Sequence, residues 1–306
     1  MAPTSNSPNL SKRLFCPNAF PSYDIQLYLA YYIVFLIIFL AIFITSFFVR
    51  KRSGGSGKSL IGFAYILTLL LEIASLALDF TALLRAQCQT GSLQEVRDMS
   101  LASTIMSFFS IWGMLVLVVY QVNILLRKQL GSAVGVFRTI CLVAVGAMGF
   151  IYIAYISIFS FLWISRASIW RDERWRLQLV SQRLSLAVRA LYVLCVIMSV
   201  ILATRTLSGL RRAQLAAGDL IGWVAALHIF MFIWSGLSIV LQALSLYTET
   251  LDLKTSIALS YVLAVFQALS FVALLGIAKH TCWKQGRKPA QHVYAPVMEG
   301  HTAYVH

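Results

Sequence analysis

An all-α fold, a bundle of seven membrane-spanning helices, is what this sequence predicts, and three observations carry it. Hydrophobic residues make up 59% of the chain and charged residues only 12%, about half the charge of a soluble domain. The apolar residues gather into seven runs long enough to cross a bilayer as helices. Within several runs the few polar residues recur at alternating steps of three and four, which marks one face of a helix.

The runs cover about 27–49, 59–84, 100–126, 136–164, 185–207, 219–247 and 255–278. Residues 1–26 form a polar tail containing Pro3, Pro8, Pro17 and Pro21 and no apolar core, so the first span is expected to direct insertion in place of a cleaved signal. Residues 27–279 form the transmembrane domain and 280–306 a second tail, with short connections and no soluble domain between the spans.

An odd number of spans puts the two tails on opposite sides. The segments after spans one, three, five and seven carry Arg50, Lys51, Arg52 and Lys58; Arg127, Lys128 and Arg138; Arg205, Arg211 and Arg212; and Lys279, Lys284, Arg287 and Lys288. The other face holds fewer basic residues, and most of those lie in one segment, Arg166 to Arg189. The positive-inside rule then predicts an extracellular or lumenal N-terminus and a cytosolic C-terminus, in the plasma membrane or the endoplasmic reticulum. The same placement accounts for the net charge of +14. Basic residues at helix ends meet lipid headgroups, so the expected partners are membrane lipids and not nucleic acid.

The second span carries the most informative stripe. Tyr65, Thr68, Glu72, Ser75 and Asp79 share one face of an otherwise apolar helix. Hydroxyls cost little to bury, whereas a carboxylate in mid-membrane costs a few kcal/mol or is neutralised. Glu72 and Asp79 are therefore expected to face protein or a water-filled cavity, about 10 Å apart by helix rise. Arg189, at the start of the fifth span, is a geometrically plausible partner for Asp79. Glu72 has no cation at its depth and is expected to carry its proton at neutral pH, with His228 and Gln267 as the nearest polar candidates.

Further polar stripes run through span three (Ser100, Ser103, Ser107, Ser110, then Gln121), span six (His228, Ser235, Ser238, Gln242, Ser245) and span seven (Ser256, Ser260, Gln267, Ser270). Small hydroxyl residues let helices approach closely, and Gly146 and Gly149 in span four read the same way. Glu72, His228, Gln267, Ser107 and Tyr65 are the candidate lining of a polar intramembrane cavity.

Outside the spans, Asn9-Leu10-Ser11 fits a glycosylation acceptor on the outer side. Cys16 and Cys88 fall on that oxidising face and are either bridged or two free thiols. Cys282 stands beside Lys279 and Lys284, a juxtamembrane position open to palmitoylation or left unmodified. Trp170 to Trp175, rich in Arg, read as an aromatic and basic anchor extending the fifth span. The run Gly54-Gly55-Ser56-Gly57-Lys58-Ser59 lacks the Gly of a phosphate loop, since Arg52 stands there, and a span precedes it instead of a strand; it reads as a flexible basic linker. No HExxH, CxxC or GxSxG occurs, so neither a metal nor any other cofactor is expected.

The layout resembles the broad class of seven-helix receptors, although span three ends in Tyr120-Gln121-Val122-Asn123 without an acidic and basic pair, span six has no Pro after Trp234, and span seven has no NPxxY and, in its interior, no lysine for a retinal-type Schiff base. In layout and composition the whole chain resembles the orphan seven-span membrane proteins of filamentous fungi. Glu72 in the second span also resembles the acid of transmembrane terpene cyclases of fungal meroterpenoid pathways, although Gln267 stands where span seven would supply an acid. The lipid-translocating exporters share seven spans and a Glu in the second, followed there by Gly-Tyr and here by Ile73-Ala74. The resemblances imply a receptor-like protein sensing a hydrophobic small molecule. The alternatives are a membrane-embedded cyclase with Glu72 as general acid, Asp79 beside it, or a lipid exporter.

Overall fold

The computed structural model describes residues 22–131, 135–164, 171–212, 218–247, 253–280 and 283. Seven helices among them are long and apolar enough to cross a membrane, and the chain is an all-α multi-pass membrane protein. The helices are α1 (Tyr23–Arg52), α2 (Gly55–Leu60), α3 (Phe63–Cys88), α4 (Leu93–Leu115), a π-helical turn (Val116–Val122), α5 (Asn123–Leu130), α6 (Gly135–Ile164), α7 (Arg171–Arg212), α8 (Gly218–Tyr247) and α9 (Leu253–Lys279). The third span is thus composite, built from α4, the π segment and α5.

Local chemistry sets the boundaries. The Ser22 hydroxyl accepts from the Ile25 amide and Asp24 sits in the first turn of α1, where an acid complements the helix dipole. Ser92 caps α4 in the same way, accepting from Glu95. α3 ends at Gln89 in the left-handed region (φ 51°), and Arg85 and Glu95 close the α3–α4 turn with a 3.1 Å ion pair between exposed side chains. α5 ends at Gly131, whose φ of 73° suits glycine.

Neighbouring spans pack in sequence order, and α9 returns to α1, so the seven close into a ring. The third span reaches across it: α4 lies along α3, while α5 and the π segment touch α7. α1, α3, α4 and α9 enclose one part of the interior, with Phe35, Phe39, Tyr65 and Phe271 at its centre, all nearly inaccessible. Phe150, Phe48 and Leu194 project outward, as lipid-facing side chains should. One end of the ring, the Arg52 face, gathers the basic last turns of α1, α5, α7 and α9. The opposite end is the Tyr23 face.

α7 begins at Arg171, ahead of the apolar run at 185, as an anchor extending the fifth span would; its first turns are charged, which lowers local hydropathy while the backbone stays helical. Two sequence expectations change. Gly55–Leu60 is a short helix and not a flexible linker; Gly57 lies against the backbone of Ala278, so closely that an added Cβ would overlap that carbonyl. Gly149 does allow close approach, its missing Cβ leaving room for the Trp112 ring, but Gly146 is exposed and meets nothing within 4 Å.

Candidate functional site

The α3–α4 seam places Glu72. Ser75 and Ser103 bond to each other's backbone carbonyls at 3.0 Å, and Ser110 donates to the Thr68 carbonyl at 3.1 Å. Gly113 sits flat against Thr68. These four contacts hold the two helices close enough for Glu72, only 6% exposed, to point between them and α9. Ser110 and Gln267 stand within hydrogen-bonding reach of its carboxyl, and Oε2 has no partner. Ser110 commits its own proton to Thr68, so toward Glu72 it acts as acceptor, and a bond between them requires a proton on the carboxyl.

Around this group the wall is aromatic. The Tyr65 hydroxyl donates to the Phe271 carbonyl (3.3 Å), and Tyr261 donates to Leu27 (3.0 Å) while its ring meets Tyr31 edge-on. Tyr31 lies within electrostatic reach of both Glu72 and Asp79. Asp79 is half-buried, one stretch nearer the Tyr23 face, with Ser103 beside it. Ser107 is half-buried on α4 between Ser103 and Ser110.

Arg189 does not pair with Asp79. Among the described residues the one ion pair is Arg85–Glu95. Arg189 lies more than four helical turns inside α7 and points toward α6 and α8, away from α3; its guanidinium donates to the Ser238 carbonyl at 3.5 Å.

His228 belongs to a second cluster, separate from Glu72. Its Nδ1 lies 2.8 Å from the Val224 carbonyl and its Nε2 3.0 Å from the Ser199 hydroxyl. A carbonyl only accepts, so Nδ1 carries the hydrogen, and in the neutral ring Nε2 accepts from Ser199. Asn123 Nδ2 donates to Ser199 Oγ at 2.8 Å and also to the carbonyls of Val118 and Val119. Those carbonyls belong to the π segment, whose widened turn disturbs the usual i to i−4 ladder. The Asn123–Ser199–His228 chain therefore braces an irregular stretch of the third span. Asn123 and Ser199 were not singled out from sequence, although each is an isolated polar residue inside an apolar run.

Two cavities flank this arrangement. At the Arg52 face a space of about 390 Å³ is lined by Tyr120 and Gln121 of the π segment, Ile124, Lys128, Ser59 and Arg138, with Arg138 Nε donating to the Tyr120 hydroxyl at 3.2 Å. Between α6, α7 and α8 a space of about 230 Å³ lies toward the Tyr23 face, walled by Tyr155, Phe159 and Trp163 on one side and Gln178, Gln182 and Ser185 on the other. Tyr155 and Ser185 also border a smaller space of about 20 Å³, and Arg189 is in its wall. None of the cavities described here has Glu72, Gln267, Ser107, Tyr65 or His228 in its lining. His228 is bonded to Ser199, whereas Glu72 has Ser110 and Gln267 within reach.

Among the described residues no three of His, Cys, Asp and Glu come together as metal ligands. Cys88 is disulfide-bonded, and Cys141 and Cys195 are free. Asn9, Cys16 and Cys282 lie outside the described residues. No protein-family model, curated protein or solved structure matches this chain.

Proposed function

We propose that this chain is a receptor-like, ligand-sensing membrane protein of the kind its layout resembles among fungal orphan seven-span proteins. Its N-terminus lies outside the cell or in the lumen, in the plasma membrane or the endoplasmic reticulum. The observation that carries the reading is the course of one stripe along α7. Ser185, Arg189, Tyr192, Val196 and Ser199 follow at steps of four, three, four and three, so they lie on one face. At one end of the stripe stands the cavity toward the Tyr23 face; at the other, about 21 Å along by helix rise, Ser199 joins the network bracing the π segment. The π segment in turn lines the cavity at the Arg52 face. A ligand that shifts α7 thus acts on an irregular, rearrangeable element on the far side, which is what signalling across a membrane requires.

The unpartnered Oε2 of Glu72 favours one other reading, a membrane-embedded cyclase in which that carboxyl gives a proton to an alkene or epoxide. Such an acid needs room for a substrate beside it, and Glu72 does not line the three cavities described above.

Deleting the gene in its source organism, with paired metabolite and transcript profiling, separates the two. A sensor is expected to alter transcript responses while every cyclised product persists. Disappearance of one product with accumulation of its acyclic precursor would overturn the sensing reading in favour of the enzyme.

A further inference from the structure

We propose that the space between α6, α7 and α8 binds a small aromatic monocarboxylate, with the carboxylate seated on Arg189. The inference deepens the sensing reading and rests on its placing of the ligand cavity at the Tyr23 face.

Arg189 is the reason to look for an anion. A guanidinium carries five donors in a fork that matches a carboxylate, and it stays charged. Here it is held among Tyr152, Tyr155, Tyr192 and Trp234, with one long bond to a neutral carbonyl and, among the described residues, no carboxylate paired with it. Half-buried about one turn inside the apolar run that starts near 185, an arginine is costly to retain unless something pairs with it, and intramembrane cations commonly mark ligand sites.

The shape of the space selects the ligand. The pocket at Arg189 is about 20 Å³, about the room of a single water, so it takes one oxygen at the tip of a ligand and not its body. It shares Tyr155 and Ser185 with the larger space of about 230 Å³. At roughly 30 Å³ per water, that larger space matches about eight waters, or a ligand body of around ten heavy atoms. One positive group at the base fits a monoanion better than a phosphate, and no lysine lines either space.

The body should be flat and apolar on one side. Tyr155, Phe159 and Trp163 follow at four-residue steps on α6, their rings 6.2 and 5.6 Å apart and tilted by only 32° and 25°. They form a nearly continuous aromatic wall on which another ring can stack. Opposite stand the neutral amides and hydroxyls of Gln178, Gln182 and Ser181, and among the described residues no acidic side chain lines the space. The Trp163 indole donates to the Arg97 carbonyl of α4, which fixes the mouth of the wall.

The probe is phenylacetate, with phenylacetamide as its neutral isostere, titrated calorimetrically into the full-length protein in lipid nanodiscs. Saturable phenylacetate binding is expected, at least tenfold tighter than that of phenylacetamide and weakened at least tenfold in Arg189→Gln. If Arg189 serves as a brace between α6 and α8 and Arg189→Gln unfolds, Ser185→Phe decides: it fills the neck shared by the two spaces while leaving the arginine in place, and should abolish binding where Ser185→Ala retains it. No saturable binding to the unaltered protein, equal affinity for the amide, or indifference to both Arg189→Gln and Ser185→Phe overturns the proposal. Because the deletion experiment uses no added carboxylate, its outcome stands independently, and a failure here removes the ligand class without removing the sensing function.

Discussion

Adding one methyl group at Gly113 should open the seam that holds Glu72 in place. A Cβ built there overlaps Oγ1 of Thr68 and falls 3.1 Å from Cγ2 and 3.2 Å from Cβ of the same residue. Thr68 does not swing clear freely: it is β-branched, which restricts χ1 in a helix, and turning it gives up the 2.7 Å bond from its hydroxyl to the Ala64 carbonyl. The helices must therefore separate. Overpacking of this kind costs about 1–3 kcal/mol. The adjacent bond from Ser110 to Thr68 stretches as well, and an interhelical bond in a membrane is worth about 0.6 kcal/mol. Against these stands the better helix propensity of Ala, at most about 1 kcal/mol. The net expectation for Gly113→Ala is a loss of about 1–2.5 kcal/mol. Gly146→Ala is the control: nothing lies within 4 Å, so only the propensity gain remains and the change should be neutral or stabilising. Thermal unfolding followed by a thiol-reactive dye suits the measurement, since Cys141 is a fully buried free thiol. In the double variant Thr68→Ala, Gly113→Ala the methyl has room, and the second substitution should cost much less than it does alone. Equal melting of Gly113→Ala and Gly146→Ala, or additivity in the double variant, would refute the steric argument.

Further outcomes follow from the same geometry. Glu72→Gln keeps the size and the bonding reach to Ser110 and Gln267 and should leave melting nearly unchanged, whereas Glu72→Leu should lower stability by about 0.5–1.5 kcal/mol; a large loss with Gln would mean that an ionised carboxylate is what the bundle needs. Cys88 is disulfide-bonded while Cys141 and Cys195 are free, and Cys16 is the expected partner because the N-terminal tail leads into α1 at the same face as Cys88. Peptide mapping without reduction should recover the Cys16–Cys88 link, and alkylation of Cys16 under those conditions would rule it out. A tail on the oxidising side should also carry a glycan on Asn9, seen as an endoglycosidase-sensitive mobility shift that Asn9→Gln removes.

The seven spans were legible because the bilayer imposes a length and an apolar composition that any reader can count. The Glu72 stripe was legible for a related reason: where charge is rare, a carboxyl inside a span stands out, and its spacing with Thr68 and Ser75 reveals the buried face. The exact start of α7 was not, although its Trp- and Arg-rich extension was, because charged residues past the membrane edge continue a helix without continuing its hydropathy. The π turn left no mark either, since Val116–Val122 is apolar throughout except Tyr120 and Gln121, and one extra residue in a turn shifts every later residue to a new face.

Arg189 shows why depth alone misassigns a partner. Counting residues put it level with Asp79, and opposite charges at one depth invite a pair. What decides is azimuth. On α7, Arg189 shares its face with Ser185 and Tyr192, and that face meets α6, α8 and the outer flank of α4. Asp79 shares its face with Ser75, which meets Ser103 of α4. The third span lies between: its upper part seals Glu72 and Asp79 against α3, and its lower part, from the π segment onward, turns to α7. The heptad spacing of Ser185, Arg189, Tyr192 and Ser199 contained this information, because four residues that all face inward on one helix cannot include one that reaches around a neighbouring span. Reading that stripe as a unit, as for Glu72, places the arginine at a small space walled by α4, α6, α7 and α8 and leaves its charge for a ligand to meet.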